Sequence, residues 1–393
     1  MNLPNVVLFD PAAEREQLLP FTFTRPVSEI RCGIFTIAEK WKRRLGGNVS
    51  YLAQDYLSKK FNAVFTDDNL IIDGSVLPDN GLVEALNQLE FGNALVENDR
   101  LIAARCDEKT ARNVEAMLDL KITTHKNPVQ RIQNLWDIFS LNGQQIEVDF
   151  ELATRGKKSK PIPQSVFTVN PERIFIEDGA QIFHGSLNAS AGSIYIGRNV
   201  QVMEGVMIRG PFAALEGSEI KMGAKIYGNT TFGPFCKAGG EINNSVMFGY
   251  SNKGHDGFLG NSVLGEWCNL GADTNNSNLK NDYSVVKLWS YPKKSFVPTG
   301  LQFCGLMMGD HSKCGINSMF NTGTVVGTFC NLFGDGFPRN FVPGFSWGGA
   351  NGFTEYKIDK ALKVAELVLE RRGIPLTQDD KEILIHVYNN PNR

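Results

Sequence analysis

The sequence predicts two folds in one chain, an α/β domain followed by a left-handed parallel β-helix that ends in a helical tail. Three observations predict it. Strand-like and helix-like segments alternate through the first 152 residues. A basic, proline-bearing stretch with few apolar side chains, ATRGKKSKPIPQS at 153–165, then reads as a linker. Beyond it, apolar residues recur every six positions. That period fits neither a helix face nor the alternation of a flat strand, and it marks the rungs of a β-solenoid. The expected boundaries are 1–152 for the α/β domain, 153–171 for the linker, 172–345 for the β-helix and 346–393 for a helical cap.

The chain opens on NVVLFD at 5–10, a short apolar strand of the kind that begins an α/β domain. LLPFTFTRPVSEIRCGIFTIAEKWKRRLGG follows at 18–47, and Ile34 to Leu45 has helical spacing before the Gly46-Gly47 stop. Arg25-Pro26 and Arg31 therefore fall between a strand and a helix, where open parallel sheets bind ligands. Arginine's planar fork of donors suits nucleotide phosphates there, or else these side chains pair with Glu29 and Glu39. NAVFTDDNLIIDGSVLPD reads strand, turn, strand, turn. GLVEALNQL reads as a helix, ALVENDRLIAAR as a hairpin, and Lys109 to Leu120 as a further helix.

The six-residue clock runs over 172–335. Ile176 and Ile182 keep it, Ile194, Val200 and Val206 resume it, and later registers hold Ile220, Ile226, Leu264, Leu270 and Val326. Breaks at 209–216, 243–256 and 277–303 read as loops thrown out of the prism. Glycine, 39 residues in all, is concentrated in this half, as tight turns require. FPRNFVPGFSWGG reads as an aromatic strap. Helices at Glu355–Arg372 and Lys381–Tyr388 would cover the open end of the stack.

Within the solenoid, residues 249–279 read GYSNKGHDGFLGNSVLGEWCNLGADTNNSNL. Gly254-His255, then Phe258-Leu259-Gly260-Asn261, then Asn269-Leu270-Gly271-Ala272-Asp273-Thr274 and Asn278 resemble the acetyltransferase half of the bacterial bifunctional N-acetylglucosamine-1-phosphate uridylyltransferase/glucosamine-1-phosphate acetyltransferases. With the Arg-Pro and Arg-x-Gly front end, the chain resembles a diverged, alternative branch of that family. Two departures stand out in the solenoid: Phe258 replaces the family's tyrosine, and Asn243-Asn244 falls where a sugar-phosphate lysine is usual. At the N-terminus the family's Gly-rich phosphate loop is absent, and Asp10-Pro11-Ala12 and the Thr24-Arg25-Pro26 turn stand in its place.

The resemblance implies a nucleotidyltransferase-like first domain and an N-acetyltransferase solenoid. It implies His255 as the base that takes a proton from a sugar amine, which suits an imidazole titrating near neutrality. It also implies Asn269 and Asn278 as substrate contacts, Lys237 as a phosphate contact, Ala272 as an acetyl-CoA contact and Asp73 as the nearest counterpart of a Mg²⁺ ligand. On the residues alone, the asparagines could equally be turn-formers or a ladder along the solenoid, and Lys237 a corner lysine. The implied partners are a sugar 1-phosphate, UTP or another NTP, and acetyl-CoA, in a homotrimer. Two alternatives stand beside this reading: a glucose 1-phosphate thymidylyltransferase whose β-helix only trimerises it, and an acetyltransferase with a degenerate nucleotide domain. The net charge of −2 argues for neither nucleic acid nor an anionic membrane. Seven cysteines without a CxxC pair, and no long apolar run, lead to the expectation of reduced thiols in a cytoplasmic protein.

Overall fold

The structure is a computed structural model describing residues 4–390 and 393. The chain divides into two compact units. One comprises residues up to Leu18, Thr24–Ile30 and Phe35–Asn134; the other comprises Leu19–Phe23, Arg31–Ile34 and Leu135–Arg393.

The first unit is built on β1 (Asn5–Phe9), β2 (Val49–Leu52), β3 (Asn69–Asp73), β4 (Asn93–Glu97), β5 (Arg100–Cys106) and β6 (Lys121–Thr124), in the sheet order β2-β1-β3-β5-β4-β6. β1 lies parallel to both β2 and β3, and β5 runs antiparallel to β3 and β4. The expected β4–β5 hairpin is present. β1 and β3 are almost wholly buried, which is why each reads as a continuous apolar run and not an alternating one. Helix α1 (Ala12–Gln17) follows β1. α2 (Ile37–Leu45) starts at a capping box in which Thr36 and Glu39 satisfy each other's backbone amides. α3 (Asn80–Asn87) is capped by Asp79. The single helix expected at 109–120 is broken instead into α4 (Glu108–Ala111) and a 3-10 turn at Glu115–Asp119. The cause is local: Asn113 Oδ1 accepts the Glu115 amide at 3.0 Å, offering the backbone an alternative to the helix. The strand expected at 62–65 does not form.

In the second unit, α5 (Asp137–Ser140) and α6 (Asn142–Thr154) precede a parallel β-solenoid with three faces. Face A begins at Val166–Val169, face B at Ile174–Ile176 and face C at Gln181–Ile182, and the sheets hold six, nine and ten strands respectively. The interior is one apolar column. Ile194, Val200, Ile220, Ile226, Leu264, Leu270 and Val326 are all buried in it, as the clock predicts. Two of the three expected breaks are not loops. Phe212–Ala214 continues face B, and Val246–Gly249 with Asn252–Lys253 continue faces B and C. The clock hides there because Ala214, Ser245 and Lys253 stand where aliphatics are usual. Only 277–303 leaves the stack, as an antiparallel hairpin of Lys287–Ser290 and Ser295–Pro298. All seven cysteines are free and buried. Burial pushes the Cys236 thiol up to about 12, away from reactivity.

The corner between faces B and C carries a feature the sequence reading missed. Phe235, Tyr250, Trp267, His311, Phe329 and Phe345 occupy it on six turns, all left-handed with φ between 54° and 61°. Bulky residues rarely adopt that conformation, at a cost on the order of 1–3 kcal/mol each. Stacking offsets the strain: neighbouring ring centroids lie 4.2–6.2 Å apart and the rings are nearly parallel. Helices α7 (Ile358–Glu370) and α8 (Gln378–Asn389) run along this corner. Tyr356 packs edge-on to Phe329, Tyr388 does the same to Phe345, and Arg372 donates to the Phe235 carbonyl at 3.4 Å. The tail therefore covers several turns of an aromatic corner as well as reaching the last one.

Candidate functional sites

In the first unit the parallel strands β1 and β3 end side by side, with Phe9 and Asp73 in register. That crevice at the carboxyl ends is the usual ligand position of an open parallel sheet. The carboxylates meeting there are Asp10, one residue past β1, and Asp73, the last residue of β3. Gly74 allows the approach, because a Cβ there would lie 2.8 Å from the Phe9 carbonyl. Asp73 is 1% exposed. Its Oδ1 accepts the Ser75 amide at 2.8 Å and hydroxyl at 2.7 Å, and its Oδ2 faces Arg100 at 3.1 Å and Arg131 at 3.7 Å. Arg100 also bridges to Glu14 at 2.9 Å, and Arg131 pairs with Glu97. Asp10 Oδ1 accepts the Val27 amide at 2.8 Å, and Oδ2 lies 3.2 Å from Arg15, which donates to the Tyr56 hydroxyl.

Burial pushes the Asp10 carboxyl up to about 6, against the pull of the Val27 amide and Arg15 and with a further push from Asp73. Glu14 is raised by burial too. A carboxyl more basic in the folded state binds its proton there while the unfolded chain has already lost it. Asp10 therefore makes stability fall as pH rises from about 4 to about 6, by on the order of 2–3 kcal/mol. In Asp10→Asn the denaturant midpoint should gain on wild type across that window, and the difference should be flat above pH 7. A difference sloping the other way would mean that Asp10 is ionised with a depressed pKa.

Arg25 is buried in the turn before the 3-10 helix Val27–Glu29, the segment whose Val27 amide docks on Asp10. The structure thus brings Arg25's turn, Asp10 and Asp73 to one edge of the sheet. Arg31 belongs to the solenoid unit, where it is buried and donates to the carbonyls of Ile34 and Phe248. Sequence reasoning missed Arg15, Arg100 and Arg131. They are scattered along the chain, and only the sheet order β1-β3-β5 collects them.

In the solenoid, His255 sits at the corner between the face C strand Asn252–Lys253 and the face A strand Phe258–Gly260. It is exposed, and its ring has no hydrogen-bond partner among the described residues. The corner is tight. Gly257 has φ +115°, and a Cβ there would meet the Thr274 carbonyl of the next turn at 2.2 Å. That next corner, Gly271–Thr274, carries Ala272, so His255 and Ala272 occupy successive corners of one column. Ala272's carbonyl accepts the Asn317 amide at 2.8 Å.

Lys237 and Asn269 point outward from face C. Lys237 pairs with Glu219 at 2.8 Å, and Asn269 accepts from Asn252 at 3.4 Å, the rung-to-rung ladder that was the alternative for it. Asn278 lies past the other edge of face A, donating to Asn261 Oδ1 at 2.8 Å. Asn275 and Asn276 do what no pattern announced. Asn275 Oδ1 accepts the Phe258 amide at 2.8 Å, and Asn276 Oδ1 accepts the Gly260 amide at 2.9 Å, so side-chain amides replace ladder bonds at the end of face A.

Residues 6–158 match the family model described as sugar nucleotidyl transferase. The first domain is thus nucleotidyltransferase-like. No curated protein matches the chain. Among solved structures, AntD, an N-acyltransferase from Bacillus cereus in complex with dTDP and 3-hydroxybutyryl-CoA, is similar to 53% of this chain and 91% of its own, at 12% identity and a TM-score of 0.22. PerB from Caulobacter crescentus, in complex with CoA and GDP-perosamine, aligns over 89% and 97% at 10% identity and a TM-score of 0.14. Among the described residues no helix is long and apolar enough to cross a membrane.

Proposed function

We propose that the chain makes a nucleotide sugar in two steps. The solenoid acetylates glucosamine 1-phosphate from acetyl-CoA, and the first domain joins N-acetylglucosamine 1-phosphate to UTP. The observation that carries the proposal is the pair of strand-end carboxylates, Asp10 and Asp73, set among Arg15, Arg100 and Arg131 in a domain that matches sugar nucleotidyl transferases.

In the nucleotidyl step the sugar-phosphate oxygen attacks the α-phosphorus of UTP and pyrophosphate leaves. The guanidiniums bind and orient the phosphates, and the backbone at Ser75 and Val27 holds the two carboxylates in place. No group of three or more metal-ligating side chains occurs among the described residues. Two carboxylates at neighbouring strand ends nevertheless fit Mg²⁺, which is usually held by one or two carboxylates together with substrate phosphates. Asp73 and Asp10 would hold it, and when bound it would neutralise charge on the triphosphate.

In the acetyl step the free amine attacks the thioester carbonyl, His255 accepts the amine's proton, and the thiolate of CoA leaves. The exposed apolar side chains Phe167, Met222 and Ile316 of the solenoid suit burial between copies, and a homotrimer is the assembly expected in solution.

Two assays on the purified protein test the proposal. One follows CoA release from acetyl-CoA with glucosamine 1-phosphate. The other follows pyrophosphate release with N-acetylglucosamine 1-phosphate and each NTP in turn. Pyrophosphate release with dTTP and glucose 1-phosphate, without CoA release, would favour the thymidylyltransferase with a scaffold solenoid. CoA release alone would favour an acetyltransferase with an inactive first domain.

A further inference from the structure

One inward position on face C is charged. On face C the inward column runs Ile220, Ala238, Lys253, Leu270 and Cys314, and Lys253 is 1% exposed. Its ammonium donates to the Gly239 carbonyl at 3.1 Å and to the His255 carbonyl. We propose that Lys253 is a positioning residue: from inside the prism it holds the corner that carries His255, so that the imidazole is presented outward in one orientation. The proposal rests on reading His255 as the base of acetyl transfer.

The local geometry makes room for a lysine. The corner before it, Gly239–Gly240, has two residues between strands, where the corners at 221–224, 254–257 and 271–274 have four. The short corner draws the chain in. A Cβ at Gly240 would lie 2.6 Å from the Gly257 carbonyl, so the two corners are in backbone contact. Ala238, the inward neighbour one turn earlier, leaves space for the lysine's four-carbon stem. The ammonium thus ties two stacked corners through their carbonyls. Burial pushes its pKa down to about 8, while the carboxylates of Asp256 and Asp273 and the thiol of Cys314 push the other way. An aliphatic residue would fill this column at less cost, as it does at Ile220 and Leu270. What the lysine adds is a directed bond to the peptide of His255. That matters because His255's ring has no hydrogen-bond partner among the described residues, so its placement rests on the backbone that carries it.

The test uses the full chain with Lys253→Met, which keeps the stem and removes the ammonium, and Lys253→Gln, which keeps a donor group on a shorter, neutral side chain. The first measurement is hydrogen–deuterium exchange. Amides at 254–257 should exchange at least about tenfold faster in Lys253→Met, with the strands at Glu219–Ile220 and Val263–Glu266 unchanged. The second is acetyl transfer to glucosamine 1-phosphate. Here kcat should fall roughly 10–100-fold with the KM for acetyl-CoA little changed, and Lys253→Gln should lie between Lys253→Met and wild type. Wild-type exchange at the corner with unchanged kcat in Lys253→Met overturns the proposal. So does loss of protection throughout the solenoid in both variants, since the lysine would then serve the core and not the corner. Full activity in His255→Ala retires the base assignment separately, and exchange at 254–257 still decides what Lys253 does.

Discussion

Replacing His255 with alanine is expected to slow acetyl transfer to glucosamine 1-phosphate by about 10²–10⁴-fold, the usual contribution of a positioned general base. The amine of the acceptor is largely protonated near neutral pH, and only its free base attacks a thioester. A group beside the nitrogen must therefore take a proton as the new bond forms. His255 is the histidine whose surroundings suit this. It stands exposed at a corner between Gly254 and Gly257, on the column that also carries Ala272. His311, by contrast, is locked into the aromatic stack between Trp267 and Phe329. Because the side chain at 255 is exposed, its removal should shift the thermal midpoint by little, within about 0.5 kcal/mol of stability. The measurements are steady-state CoA release and a melting curve on the same preparation. Near-wild-type turnover in the folded variant would remove His255 from the chemistry and leave the solenoid as a scaffold.

The solenoid was legible because its interior repeats a chemical requirement every six residues, and buried aliphatics such as Ile194 and Leu270 state that requirement directly. It became illegible where the interior is filled by something else. Lys253 and Ser245 hid two strands behind residues that read as loop. The aromatic corner was missed for a related reason: Phe235, Tyr250, Trp267, His311, Phe329 and Phe345 follow one another at intervals of 15 to 44 residues, and only the turn height brings them together. In the first domain, Asp73 could be picked out by its place at the end of an apolar run. Its partners could not, since Arg100 and Arg131 reach it from β5 and from the strap pairing with Val76. Arg31 shows the converse. Neighbourhood to Arg25 in sequence suggested a shared site, yet its guanidinium donates to the carbonyls of Ile34 and of Phe248 in the solenoid.

Asp73→Asn is the change expected to separate the two activities. Asparagine keeps the shape and one oxygen for the Ser75 amide and hydroxyl, so the turn after β3 should hold. The charge is lost, and with it one of two counter-ions of Arg100 and one of two of Arg131, whose side chain is only 5% exposed. Breaking a buried pair costs about 3–5 kcal/mol when nothing else compensates. Glu97 still pairs with Arg131 and Glu14 with Arg100, so the loss should fall at or below the low end, about 2–3 kcal/mol. The larger effect is on chemistry. If Asp73 organises the phosphates and their cation, its neutral analogue should slow pyrophosphate release by roughly 10²–10³-fold at saturating Mg²⁺ and UTP. Acetyl transfer, measured on the same sample, should stay at the wild-type rate, because His255 and Lys253 belong to the other unit. Glu108→Gln is the control: it breaks an exposed pair with Arg112 and should leave both activities and the melting curve as they are. A folded Asp73→Asn protein that releases pyrophosphate at the wild-type rate would show that the Asp10–Asp73 edge is a structural ion network, and the nucleotide would have to be sought elsewhere in the first domain.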